Sequence, residues 1–257
     1  MTEALDIRSL TVRAGPKPLL EDVSLKLGVA DFVALIGPNG AGKTTLIRAA
    51  LGLAAPASGE VLLGGRNPRA LPGRARAALA AWLPQQALAA EPVTALELVT
   101  AARFRFSESH AASRRAAQAA MARVGASEFF ARPVTQLSGG EHQRVALAAL
   151  IAQEAPLLLL DEPANHLDPA QQIGIYKLIG ELWREGRAVL CVTHDLNLLR
   201  FVGRDPARVR VAGLNAGRKA FECRLEDSEL RAQYAQLFRV RLARTGYTTL
   251  LIPEDVA

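Results

Sequence analysis

The residues best suited to chemistry begin with GPNGAGKTT, Gly37 to Thr45, in which Gly37, Gly42, Lys43 and Thr44 fit GxxxxGK[ST]. The stretch follows an apolar run, DFVALI, and opens onto a helical pattern, which is the context a phosphate-holding loop requires. Across Gly37, Pro38, Asn39, Gly40, Ala41, Gly42, Lys43, Thr44 and Thr45, small residues let main-chain N–H groups approach phosphates, and the helix start adds partial positive charge. Lys43 is placed to contact the outer phosphates, and the Thr44 hydroxyl to ligate Mg²⁺. A plain glycine-rich strand-to-helix turn is the alternative.

Further along, LLLLDEP puts Asp161 and Glu162 at the end of an apolar run. One carboxylate there can hold the hydration shell of Mg²⁺, and the next can orient and polarise an attacking water. Alone, such a pair is commonly a helix cap or a solvated turn; beside a phosphate loop the catalytic reading prevails. His194 in VTHD closes another apolar run, where an imidazole could reach a terminal phosphate or serve structure alone. LSGGE, with Ser138, Gly139 and Gly140 ahead of the helical run HQRVALAAL, forms a second anion-binding element without a lysine.

The elements that must position these residues alternate between short β-type and longer helical patterns, which predicts an α/β fold with a partly parallel sheet. Leu5–Ala14 and Leu19–Leu27 read as antiparallel strands joined by GPKP, Asp31–Gly37 as the strand before the loop, Thr44–Leu53 as the helix after it, and Gly59–Leu63 as a further strand. From about residue 87 to 151 the sequence turns alanine- and arginine-rich, with helices expected over Glu97–Arg105 and Ser113–Val124, and reads as an inserted helical subdomain. Leu157–Leu160 and Ala188–Val192 are apolar throughout, as buried parallel strands are, with a helix over Ala170–Arg184 between them. Past Pro206 the pattern weakens into turns at GLNAG and a helix over Glu226–Leu237. No repeat or low-complexity linker divides the chain, so residues 1–257 are expected to form one cassette, with about 206–257 as a C-terminal extension.

Composition narrows the classes. The chain has 257 residues, half of them hydrophobic, enough for a sizeable core. No apolar run approaches a membrane span, 155–160 being far short of one, and MTEALDIRSL lacks the features of a secretory signal, which favours the cytoplasm. Cys191 and Cys223 lie too far apart for a CxxC motif, and Cys191 reads as a buried thiol. A net charge of +6 admits nucleic acid or anionic lipid as partners, but no block of like charges is present, and no specific nucleic acid is expected.

Taken in order, GPNGAGKTT, LPQQ, LSGGE, LLLLDEP, NHLD and VTHD resemble the ATP-binding cassette (ABC) family over residues 5–200. The resemblance implies a P-loop NTPase cassette: a RecA-like mixed sheet core, an N-terminal antiparallel β portion and an inserted helical subdomain. It implies ATP and Mg²⁺ as cofactors, Glu162 as general base, His194 as γ-phosphate contact, and Gln85 as a sensor of γ-phosphate and Mg²⁺ alongside Thr44 and Asp161. Asp168 would couple the two sites of a homodimer, in which Ser138, Gly139 and Gly140 complete the partner's ATP site. The aromatic residue that the family stacks on adenine aligns with Ala14; Arg13 reads first as a solvated strand arginine and second as a substitute through its guanidinium plane, so base selectivity is expected to be weak.

Within the family, VTALELVTAARF, ALIAQEAPLLLLDEPANHLD, THDLNLL and LRAQYAQLFRV are similar to ATPase subunits of iron-siderophore, haem or vitamin B12 importers. That implies an integral membrane permease whose short helix enters a groove lined by residues 85–106, an indirect substrate-binding protein, and a peripheral place on the cytoplasmic face of the inner membrane. An exporter ATPase and a soluble cassette acting on ribosomes or nucleic acid are the alternatives.

Overall fold

In a computed structural model of the protein the described residues are 3–85, 93–165, 167–203, 206–245 and 248–253, with side chains described up to residue 240 apart from that of Pro206. The strands are β1 (Glu3–Ala14), β2 (Lys17–Gly28), β3 (Phe32–Ile36), β4 (Ser58–Leu63), β5 (Ala80–Leu83), β6 (Leu157–Asp161), β7 (Ala188–Val192), β8 (Val209–Asn215), β9 (Arg218–Arg224), β10 (Val240–Thr245) and β11 (Thr248–Pro253). The helices are α1 (Lys43–Ala50), α2 (Gly73–Ala77), α3 (Ala95–Ala101), α4 (His110–Arg123), α5 (Gly139–Ala152), α6 (Pro169–Arg184) and α7 (Leu230–Phe238). None of the described helices is long and apolar enough to cross a membrane.

A six-stranded sheet ordered β5-β6-β7-β3-β8-β9 forms the centre, parallel except for β9, and a three-stranded antiparallel sheet ordered β2-β1-β4 lies beside it. β3, β7 and β6 up to Asp161 are apolar throughout because both faces are covered. Successive side chains point to opposite faces, so Phe32, Ala34, Ile36, Leu158 and Leu160 join one core with α3, α4, α5 and α6, while Val33, Leu35, Leu157 and Leu159 join the other with β1, β2 and α1. Burying these faces is the main force that holds β3, β6 and β7 in place, and Gly37, Asp161 with Glu162, and His194 stand at or just past their C-terminal ends.

Several expected boundaries move. α1 stops at Ala50 because the chain turns at Gly52, whose φ of 71° ends the helix, and so falls short of Leu53. α3 starts from the Thr94 capping box and finishes at Ala101, four residues before Arg105. α4 starts at His110, because the Ser109 hydroxyl caps it by accepting from the Ala112 N–H. The turn between β1 and β2 narrows to residues 15 and 16. The expected C-terminal helix begins at Leu230, since Asp227 accepts a hydrogen bond from the Arg224 N–H and shapes residues 224–227 into a turn. Residues 209–224, expected to hold little regular structure, form β8 and β9, and β8 pairs with β3. β5 is a further strand that the sequence pattern did not predict. The expected start of the helical insert at residue 87 and part of the groove over 85–106 lie outside the described residues.

Candidate active site

The loop after β3 is shaped by close approach. A Cβ on Gly37 would stand 2.2 Å from the Leu214 carbonyl oxygen on β8, and Gly42, with a φ of 101°, would place one 2.8 Å from the Leu19 carbonyl oxygen. Only glycine lets the loop pass β8 and β2 this closely. β8, unforeseen in the sequence, is thus one wall of the phosphate loop. Residues 39–45, with Leu19, Gln85 and Glu162, line an open cleft of about 460 Å³.

Lys43 is buried, and its ammonium donates to the carbonyls of Gly37 (2.8 Å) and Pro38 (3.0 Å). Desolvation lowers its pKa, against the opposing pull of Glu162 and Asp161. An ammonium whose hydrogen bonds go to neutral carbonyls at the lip of a cleft is suited to an anion. The Thr44 hydroxyl donates to Asp161 Oδ2 at 2.7 Å. Asp161 is 2% exposed, and desolvation raises its pKa despite that bond. Removed from water and next to Glu162, it fits a cation. Among the described residues no group of three or more His, Cys, Asp or Glu side chains converges, and a hydroxyl with one carboxylate is the partial ligand set that Mg²⁺ completes with water and phosphate oxygens.

Glu162 sits at the end of β6 with a φ of 54°, a left-handed conformation costing a non-glycine residue about 1–3 kcal/mol. Its main-chain N–H donates to the Val192 carbonyl of β7 at 3.1 Å. Its side chain is 10% exposed; Oε1 lies 2.5 Å from His194 Nε2, and Oε2 accepts from Gln85 Nε2 and Asn165 Nδ2, both at 2.8 Å. The fold therefore brings Gln85, Glu162 and His194 together at the edge of the phosphate cleft. Asn165 belongs to this set and was given no role from sequence; its signal was its spacing, three residues past Glu162, where a turn closes through its N–H and the Glu162 carbonyl at 3.2 Å.

Ser138, Gly139 and Gly140 lie elsewhere. They open α5, with Ser138 and Glu141 forming a capping box: the Ser138 N–H donates to Glu141 Oε2 at 2.7 Å, and the Glu141 N–H to Ser138 Oγ at 3.4 Å. The Ser138 N–H, with lesser help from Arg132, holds the Glu141 carboxyl below its ordinary pKa. Asp168 caps α6, accepting from the Gln171 N–H at 2.9 Å, and the Gln171 side chain lies against Gly140. Gly140 and Asp168 thus meet at Gln171, and neither they nor Ser138 line the phosphate cleft of their own chain. Arg13 is exposed and donates to the Pro16 carbonyl at 3.0 Å, and Ala14 is exposed beside it. Cys191 is fully buried, its thiol pushed up to about 12 by desolvation, in keeping with an unreactive core residue.

A nucleotide-type phosphate cleft in a sheet of this order defines a P-loop ATPase cassette. A family profile described as ABC transporter matches residues 20–165, and the chain belongs to that family, carrying its ATPase domain. The chain is 41% identical over 197 residues to a cobalamin import ATP-binding protein of Halobacterium salinarum, covering 76% of this chain and only 50% of that protein, so it spans half that relative's length. It is 39% identical over 210 residues to a hemin import ATP-binding protein of Streptomyces coelicolor, covering 81% of this chain and 75% of the relative. Among solved structures, a dimeric ATP-binding cassette in a post-hydrolysis state with ADP and Pi superposes with a TM-score of 0.77 at 28% identity, covering 87% of this chain and 99% of the other.

Proposed function

We propose that this chain hydrolyses ATP as the engine of an importer for a metal-chelate type substrate, such as an iron-siderophore, haem or cobalamin, working with a separate membrane-spanning permease. The observation that carries the catalytic part is the carboxylate of Glu162, held by Gln85, Asn165 and His194 at the edge of the Lys43–Thr44 cleft. Import is supported by the likeness to cobalamin and hemin import ATP-binding proteins. The reading places the chain on the cytoplasmic face of the inner membrane, with a substrate-binding protein reached only through the permease.

In this reading the loop N–H groups and Lys43 hold the phosphates, and Lys43 leaves the Gly37 and Pro38 carbonyls for them. Thr44 and Asp161, with Gln85 near them, would hold Mg²⁺, which would supply positive charge to the phosphate oxygens. Glu162 takes a proton from water as the water oxygen bonds to the γ-phosphorus, and the bond to the β–γ bridging oxygen breaks to give ADP and phosphate. His194 contacts the γ-phosphate and orients Glu162. Ser138, Gly139 and Gly140 lie outside their own cleft and serve the partner's in a homodimer, with Asp168 between the two sites. Residues 1–257 act as one cassette, in which α3, α4 and α5 form an inserted helical unit and the segment from about 206 onward an extension.

The test is purification of tagged Glu162→Gln from whole cells in mild detergent with ATP. A polytopic membrane protein co-purifying in stoichiometric amount is the expected result, and that protein's own sequence distinguishes import from export. Ribosomal RNA or protein in its place would replace this reading with that of a soluble cassette.

A further inference from the structure

The strained backbone of Glu162 needs restraint on both sides. On its N-terminal side the Glu162 N–H is fixed to the Val192 carbonyl of β7. On the other side, the Pro163 carbonyl accepts a 2.5 Å hydrogen bond from Gln143 Nε2 of α5. Gln143 lies one turn past the capping box of Ser138, on the face of α5 that also carries Gly140 and Leu147. Gly140 on that face meets Gln171, and the next carbonyl, that of Ala164, accepts from Gln172 of α6 at 3.4 Å. The segment 162–165 is therefore suspended between β7, α5 and α6, and α5 reaches it through one long side chain.

We propose that Gln143 is a positioning residue for hydrolysis: by holding the Pro163 carbonyl it keeps Glu162 in its left-handed conformation, and so ties the general base to the helix that begins at Ser138. The proposal rests on the reading of Glu162 as base. Nothing in it requires Gln143 to touch nucleotide, since its amide is spent on a main-chain oxygen. If the N-terminus of α5 engages the partner's ATP, a movement of α5 reaches Glu162 of its own chain through this bond. An imposed left-handed conformation relaxes when a restraint is removed, and a base displaced by about 1 Å loses rate far more than it loses ground-state affinity.

The experiment compares purified Gln143→Met and Gln143→Lys with the unaltered chain. Methionine keeps the length and unbranched shape but removes the donor; lysine keeps a donor on a long stem. Steady-state ATPase with Mg-ATP is expected to show kcat at least tenfold lower for Gln143→Met, KM for ATP within threefold, and at least half of the lost kcat restored in Gln143→Lys. Amide exchange at Ala164 and Asn165 is expected to quicken in Gln143→Met while exchange across β3 and β6 is unchanged. Equal loss in both variants, or a rise in KM matching the fall in kcat, would reduce Gln143 to a packing residue and overturn the proposal. Should either variant fail to fold, nucleotide-free exchange on Gln143→Glu, which turns the donor into an acceptor, decides the point: exchange at Ala164 and Asn165 as slow as in the unaltered chain overturns it. An unaltered chain that does not hydrolyse ATP would instead refute the ATPase reading itself.

Discussion

Replacing Glu162 by glutamine keeps its shape and its place among Gln85, Asn165 and His194 while removing the carboxylate proposed as the base. Hydrolysis is expected to fall at least about 100-fold with ATP affinity within a few fold, as read by phosphate release and nucleotide titration. At the base end of the cleft, Leu19 lines the opening, Ala14 offers no ring, and Arg13 is already bound to the Pro16 carbonyl. With no aromatic face to select adenine, kcat/KM for ATP and GTP should agree within about threefold, and Ala14→Tyr should raise the ATP preference. A strong ATP preference in the unaltered chain would sink this account. These residues were legible because loop, carboxylates and histidine each close an apolar run. Asn165 was not, because its role comes from a local turn that carries no chemical signature.

At the scale of elements, α3, α4 and α5 pack on one another, and the join between α3 and α4 is pinned by Arg103. That side chain is 6% exposed; it donates to both oxygens of Glu108, to Glu154 Oε1 at 2.7 Å, and to the Ala152 carbonyl at the end of α5 at 2.8 Å. Arg103, then Ser113, hold the Glu108 carboxyl down at about 2, against an ordinary value of 4.5. A carboxylate depressed by folding stabilises above its unfolded pKa, and that contribution is lost as pH falls from about 4.5 through 2. Glu108→Gln should therefore lower Tm by a few degrees at pH 7, and the gap to the unaltered protein should narrow as pH drops below 4.5. A gap independent of pH would mean that packing, not charge, joins these helices. The strands of the central sheet were readable where both faces are apolar, as in β3, β6 and β7. β8 was not, because Arg210 and Gly213 interrupt its run: Arg210 is spent on Asp31 and Glu222, and Gly213 has no side chain because Phe221 of β9 occupies that space. β5 was hidden by two alanines whose strand form depends on pairing with β6.

For the whole molecule, the central consequence is geometric. Gly140 and Asp168 meet at Gln171, Ser138 caps α5, and none of the three lines the open phosphate cleft of its own chain, so closing it calls for a second copy. An isolated chain should be a slow ATPase whose specific activity rises with protein concentration, and Ser138→Arg, placing a bulky cation at the start of α5, should abolish that rise while leaving ATP binding within a few fold. The order of the motifs made the family legible; the division of labour between copies was implied by resemblance alone, because spacing along one chain does not say which cleft a second chain fills. The measurement that bears most directly on the account is sedimentation of Glu162→Gln with and without Mg-ATP. A dimer with Mg-ATP and a monomer without it is the expected result. A monomer under both conditions would contradict it.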